Sequence, residues 1–369
     1  MTQYDIAVIP GDGIGREVVA EGLKVLRVAA EGSGVDLRLQ RFDWGCDYYL
    51  SHGVMMPDDG VETVRGFDAV YLGAIGDPVR VPEEVSVRGV VFRLRFELDQ
   101  FANVRPTQPM RGAPFPLSHV GQEEIDLVVV REATEGLYVG LGESAEAGTE
   151  AFEAHASLRR HFGRSRRLAL QVGVFSEEGC RRVMRYAFEL ARKRDGKGLV
   201  TSCTKRNALN YGMALWDDVF EEVAGEYPDV TAEWCYVDAL AMNLVLKPQH
   251  YDVIVAPNLF GDIITDLASA LCGGLGFAPG GNIAPDGVSM FEPPHGTAPD
   301  IAGRGVANPI AAILTAGMMM EELGEPVMAE AIRRATAEVV AEGRIRTPDM
   351  GGRDGTADLG DAIAARLAA

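Results

Sequence analysis

The chain has 369 residues, 47% of them hydrophobic and 24% charged, with a formal net charge of −19 at pH 7. That length accommodates two domains or one large one, with the composition of an ordinary globular protein. The acidic balance excludes a nucleic-acid partner, which needs an excess of Lys and Arg to neutralise phosphate, and apolar runs such as 311–320 are too short to span a bilayer.

Residues 4–10 (YDIAVIP) read as a buried strand and 14–30 as an amphipathic helix. A strand at 67–74 follows, then a helical run over 86–100 and a strand through Arg105. A strand at 125–132 precedes a polar stretch at 141–165. The alternation resumes with a strand at 167–176 and a helix at 177–194. It continues through strand 199–203, helix 207–226, strand 230–238, helix 239–246, strand 251–257 and a helix opening at Asn258. A Gly- and Pro-rich stretch at 277–300 reads as one long loop, and the chain is mostly helical from 300 onward. The pattern predicts an α/β protein with open sheets. No basic region followed by a long apolar stretch opens the chain, so the expected address is the cytoplasm, with no membrane partner. The five cysteines, Cys46, Cys180, Cys203, Cys235 and Cys272, form no CxxC and read as reduced thiols.

After the first strand comes GDGIGREV, Gly11 to Val18. A dinucleotide-binding fingerprint needs G-x-G-x-x-G, whereas here the glycines fall as G-x-G-x-G and Arg stands at 16, so the standard Rossmann reading fails. Glycines still allow close backbone approach there, and a helix start favours anions.

Charged residues late in the chain pose a sharper problem. Asp262 and Asp266 stand four apart in the apolar helix NLFGDIITDLASAL, on one face, where like charges repel unless something positive lies between them. Arg95, Arg105 and Arg131 fall at element ends; on residue type alone they are either solvated surface groups or a bidentate grip on a small carboxylate. Lys205, Tyr138 and Asp238 also sit at element ends. The acids point to an oxygen-loving divalent cation, Mg²⁺ or Mn²⁺; His and Cys show no zinc spacing.

Taken with GAIGDP, LRFELDQFANVRP, VVVREATEGLY, TKRNAL, VDALAM and FEPPHGTAPDIAG, these segments resemble the β-decarboxylating dehydrogenases that act on isopropylmalate, isocitrate, tartrate and D-malate. The resemblance runs nearly the whole length. It implies an isopropylmalate-dehydrogenase-like fold of two α/β domains with a cleft between them. Residues 1–100 and 273–369 would form a cofactor domain, and 101–272 a substrate and dimerisation domain with an arm near 141–165. It also implies a homodimer with shared active sites, with pairing into tetramers left open. Arg95, Arg105 and Arg131 then resemble the substrate-carboxylate arginines. Asp262 and Asp266 resemble metal ligands, completed by Asp238 of the second subunit. Lys205, also from the partner, resembles the base on the C2 hydroxyl, and Tyr138 the acid that protonates C3. Gly73, Ala74, Ile75, Glu292, His295, Gly296, Thr297, Ala298, Asp300 and Asn308 resemble the cofactor shell. A monovalent cation stays open as a further requirement.

Asp300 is acidic where the family's NAD enzymes bind the adenosine ribose, and would repel a 2′-phosphate, so the implied cofactor is NAD. Val91 and Phe92, four and three residues before Arg95, are apolar and offer nothing to a third carboxylate. Phe96 replaces the family's usual basic residue and is expected to make the pocket more apolar. The implied substrate is a malate-type 2-hydroxy acid of the D-malate or tartrate kind, with 3-isopropylmalate or another 3-alkylmalate as the alternative. A non-catalytic binding subunit would lack one of Lys205, Tyr138, Asp262 or Asp266, and all four are present.

Overall fold

A computed structural model describes residues 2–150, 160 and 165–369. Strand β1 (Thr2–Gly11) leads into helix α1 (Gly15–Ala30), whose Val18, Val19, Val25 and Leu26 form its buried stripe. Strand β2 (Val35–Arg41) and the short helices α2 (Cys46–His52) and α3 (Gly60–Val64) precede β3 (Ala69–Ala74). Three helical segments, Glu83–Val87, Arg88–Phe92 and Arg93–Glu97, run on as one helix, α4, whose middle part is a π turn. β4 (Ala102–Thr107) and β5 (Leu127–Glu132) follow. Next come β6 (Gly136–Glu146), β7 (Arg167–Val174), α5 (Glu177–Lys193), β8 (Leu199–Thr204) and α6 (Gly212–Glu226). Then β9 (Thr231–Tyr236), α7 (Val237–Leu246), β10 (Val253–Ala256) and α8 (Asn258–Leu271) continue the alternation. Two three-residue strands, β11 (Gly281–Ile283) and β12 (Ser289–Phe291), precede helices α9 (Ile310–Glu322), α10 (Pro326–Glu342) and α11 (Thr356–Ala368).

One sheet of ten strands runs β2-β1-β3-β12-β11-β4-β5-β10-β8-β9. Its outer blocks are parallel, β2-β1-β3-β12 on one side and β5-β10-β8-β9 on the other. The seam between them is antiparallel, through β12-β11, β11-β4 and β4-β5. A strand's side chains alternate faces, and register carries that alternation across the seam. Facing one way, Val104 and Val130 join one large cluster with Ile6, Val8, Phe188, Trp216 and Phe291. On the opposite face the apolar packing splits. One cluster lies around Ile9, Val70, Leu94 and Met290, a second around Leu127, Val129, Ile254 and Ile264. The cleft is the gap between these two clusters, floored by the polar seam.

The α/β class with open parallel blocks matches the sequence reading. Three features do not. β2 was missed because VDLRLQR is an edge strand with mostly exposed charged residues. The stretch 277–300 is not one loop, since it supplies β11 and β12 at the seam; strands of three residues leave no periodic signal. The polar stretch from 141 begins inside β6, which pairs with β7 as a separate antiparallel ribbon. The rest of the expected arm, 151–159 and 161–164, lies outside the described residues. Among the described residues, all five cysteines are free thiols, and no helix is long and apolar enough to cross a membrane.

The seam is tied by side chains as well as backbone. Asn103 Nδ2 donates to Asn282 Oδ1 at 2.8 Å, and Asn282 Nδ2 donates to Glu292 at 2.9 Å, all fully or nearly fully buried. Replacing Asn282 with Ala leaves Asn103 Nδ2 without its acceptor and takes from Glu292 Oε1 one of its two donors, the other being Arg95. Thermal denaturation of Asn282→Ala is expected to register a loss of about 1–3 kcal/mol, the cost of leaving buried polar groups unpaired; an unchanged Tm would mean that the seam does not rely on this bridge.

Candidate active site

Register alone places four polar side chains together. Asn282 pairs with Asn103, Asn103 with Arg131, and Arg105 lies two residues along β4, so all point to the cleft side of the seam. Glu292, just past β12, joins them. Helix α4 closes one side with Arg95, and α8 closes the other with Asp262; Asp266, one turn further along α8, is not among the lining side chains. The resulting cavity of about 280 Å³ is lined by these arginines, Tyr138, Asp262 and Glu292, by Val91 and Phe92, and by the loops at 73–75 and 293–296.

Each guanidinium is held differently. Arg95 Nη2 donates to Glu292 Oε1 at 2.6 Å, with both groups buried. Arg131 donates from Nε and Nη2 to Asn258 Oδ1, at 3.0 and 2.7 Å, and pairs through Nη1 with Asp262. Arg105 donates from Nε to Asn103 Oδ1 at 2.9 Å, and among the described residues it has no carboxylate at ion-pair distance. Burial pulls Arg105 down to about 10, which still leaves it charged at neutral pH. Burial would raise the Glu292 carboxyl, but Arg95 and Arg105 outweigh it and hold that group below the usual carboxylate range.

Tyr138 donates its hydroxyl to Asp262 Oδ2 at 3.0 Å, and burial, reinforced by Asp262, raises the phenol. It is therefore a protonated donor at neutral pH. Phe92 stacks on the Tyr138 ring with centroids 6.1 Å apart, and Arg95 lies 5.9 Å from the Phe92 ring centre. Burial and the neighbouring Asp262 both push Asp266 up. Two acids one turn apart on one helix face, as predicted from their spacing, suit a divalent cation between them. Among the described residues no group of three His, Cys, Asp or Glu side chains in this chain forms a metal-holding set.

Of the residues singled out from sequence, Gly73, Ala74, Ile75, Val91, Arg95, Arg105, Arg131, Tyr138, Asp262, Glu292, His295 and Gly296 line this one cavity. His295 Nε2 is buried without a partner among the described residues, and burial holds the imidazole below its usual pKa, hence neutral. Arg95 Nε is likewise buried and unpartnered, a second polar group left for a ligand. Thr297 lines an adjoining cavity, Ala298 carries an uncommon positive φ of 40°, and Asp300 is exposed on the same loop. Asn308 spends its amide on Asp349 and on Ile310 N–H, at 2.9 and 3.0 Å. Lys205 and Asp238 do not line the cavity; they pair with each other at 2.6 Å, and that contact holds the Asp238 carboxyl low.

Phe96 does not make the pocket apolar. It is 37% exposed and does not line the cavity, whereas Val91 and Phe92, the wall residues expected from their spacing to Arg95, both do. Arg93 is tied to Glu97 and to the carbonyls of Pro57 and Asp58, away from the cavity. Sequence reasoning missed Asn258, Asn103 and Asn282, the neutral groups that orient the arginines. The available signal was an Asn inside an otherwise apolar segment, which has to find partners when buried.

A family model described as isocitrate/isopropylmalate dehydrogenase matches residues 5–363. The chain is 45% identical over 370 residues to a probable tartrate dehydrogenase/decarboxylase of Bacillus subtilis (strain 168), covering 100% of this chain and 99% of that protein. It is 43% identical over 371 residues to the decarboxylating D-malate dehydrogenase of Escherichia coli (strain K12), covering 98% of each. It is 45% identical over 352 residues to the 3-isopropylmalate dehydrogenase of Corynebacterium kroppenstedtii, covering 94% of this chain and 97% of the other. Among solved structures, isocitrate dehydrogenase from Methylococcus capsulatus superposes with a TM-score of 0.86 at 36% identity, covering 99% of this chain and 100% of that one.

Asn258 is the hub for Arg131, taking two of its N–H groups while its own Nδ2 donates to Glu135 O at 2.9 Å. Asn258→Ala is expected to cut kcat/KM by roughly 10- to 100-fold, since hydrogen bonds to a charged group contribute about 1.5–3 kcal/mol. Steady-state kinetics returning wild-type kcat/KM would remove Asn258 from the machinery.

Proposed function

The chain belongs to the isocitrate/isopropylmalate dehydrogenase family, and on that premise we propose that it uses NAD and Mg²⁺ or Mn²⁺ to decarboxylate a malate-type 2-hydroxy acid, D-malate or tartrate. That it is an oxidative decarboxylating dehydrogenase follows from the family and from the full-length likeness to decarboxylating relatives. The observation that carries the substrate reading is Arg105: a buried guanidinium, facing a small cavity, with a neutral amide as its side-chain partner. Such a cation calls for a carboxylate from outside the chain, because an uncompensated buried charge is costly.

When bound, the metal supplies Lewis-acid polarisation at the C2 hydroxyl and the nicotinamide supplies the hydride acceptor. Asp262 and Asp266 would hold the metal, with Asp238 from a second copy. Lys205 of that copy takes the proton from the C2 hydroxyl oxygen. Arg105, Arg95 and Arg131 grip the substrate carboxylates and fix their orientation as CO₂ leaves. Tyr138, kept protonated, holds the proton that C3 receives. The shared-site reading rests on Lys205 and Asp238 lying off this cavity. It rests also on exposed apolar side chains on the ribbon, β9, α7 and α8, namely Leu141, Val172, Trp234, Met242, Leu246 and Ile263, which a second copy would cover.

Val91 and Phe92 give the wall beside Arg95 no charge, which disfavours a tricarboxylate and leaves a 3-alkylmalate as the second reading. NADH formation across D-malate, L- and meso-tartrate, 3-isopropylmalate and isocitrate, with Mn²⁺ and again with EDTA, tests the proposal. The expected result is EDTA-sensitive turnover of D-malate or tartrate, exceeding isocitrate by roughly 100-fold or more, since an unpaired buried carboxylate costs ~3 kcal/mol or more. Preference for 3-isopropylmalate would select the second reading, and turnover indifferent to EDTA would refute the metal.

A further inference from the structure

The glycine turn after β1 lies between the two loops that the proposed cofactor would touch, 73–78 and 293–305. Its backbone is committed to both. Asp12 N–H donates to Ala74 O at 2.7 Å, and Ile14 N–H to Thr297 O at 2.9 Å. A Cβ on Gly11 would stand 2.0 Å from Ala74 O, and one on Gly13 2.1 Å from Thr297 O. The G-x-G-x-G spacing therefore serves close approach of protein backbone to protein backbone.

Two carboxylates of the same turn extend the grip. Asp12 is 1% exposed; its oxygens accept from Cys46 N–H at 2.9 and 3.1 Å and from Gly76 N–H at 2.9 Å. Glu17, one turn into α1, accepts from Gly303 N–H at 2.5 Å and Gly305 N–H at 2.9 Å. A cavity of about 370 Å³ separates the loops, lined by Gly13, Glu17, Gly76, Asp77, Thr297 and Pro299 among others. Asp47 adds a brace outside it, pairing with Arg16 at 2.5 Å and Arg80 at 2.7 Å.

We propose that Asp12 and Glu17 are positioning residues for the dinucleotide: each carboxylate fastens one cofactor loop to the start of α1, so that the helix sets the width of the slot between the loops. This rests on the NAD reading above. Neither residue touches the reacting atoms. An amide in place of either carboxylate retains only one acceptor oxygen and points an N–H toward a backbone N–H, which releases one end of a loop.

The test uses the full-length wild-type enzyme, Asp12→Asn and Glu17→Gln. The readouts are kcat, KM for NAD, KM for the hydroxy acid, the inhibition constant of ADP-ribose, and Tm. KM for NAD and the ADP-ribose constant should rise together, by roughly 5- to 20-fold, while kcat stays within about twofold and the hydroxy-acid KM holds. A Tm loss with unchanged NAD and ADP-ribose constants would overturn the proposal, because a scaffold role alone moves only stability. If Asp12→Asn does not fold, Glu17→Gln, on the surface of α1, decides the matter by the same readouts. A wild-type enzyme that ignores both NAD and ADP-ribose would overturn the cofactor reading itself, and the proposal with it.

Discussion

A buried arginine with no carboxylate of its own is the constraint around which the rest of the cleft is arranged. Arg105 sits on the floor of the seam with its charge unanswered by an ion pair among the described residues. Glu292 and Asp262 act on it only from beyond ion-pair distance, because Glu292 is bonded to Arg95 and Asp262 to Arg131. The neutral amides of Asn103, Asn282 and Asn258 orient these groups without discharging them. Such an arrangement costs stability in the free protein, and the proposed dianionic substrate would recover it, the pattern expected of a preorganised binding site. The antiparallel seam makes it feasible: on its far face the core is continuous, so the polar floor does not split the molecule.

Much of this was legible in the sequence. The i, i+4 spacing of Asp262 and Asp266 foretold one helix face, and Arg95, Arg105 and Arg131 do meet at one cavity. Why they meet was not legible. Strands β11 and β12, which bring Asn282 and Glu292 beside Asn103, are three residues each and lie inside a Gly- and Pro-rich run. Counting back from Arg95 places Phe92 and Val91 at the cavity wall, as found, but Phe96, expected there from its place after Arg95, does not line it, and the stacking of Phe92 on Tyr138 joins segments far apart in the chain. Partner asparagines are invisible to hydrophobic periodicity, since a buried amide and an exposed one look alike in sequence.

The glycine turn illustrates the same limit from the other side. Its composition invites comparison with phosphate-binding loops, and its spacing fails that comparison. Its backbone and carboxylates are instead occupied with the loops at 73–78 and 293–305. A motif defined by close backbone approach says that something comes close, and only the fold says what.

The central claim is that the arginine floor, Tyr138 and Asp262 of one chain work with Lys205 and Asp238 of another. Mixed dimers test it most directly. Subunits carrying Lys205→Met and subunits carrying Tyr138→Phe, each inactive alone, are refolded or co-expressed together and assayed with NAD and metal. If sites are shared, every hybrid dimer has one intact site, and random pairing of equal amounts restores roughly a quarter of wild-type activity. No recovery in a preparation shown to contain hybrids would mean that each site is built within one chain, and the account of the cleft would have to be abandoned.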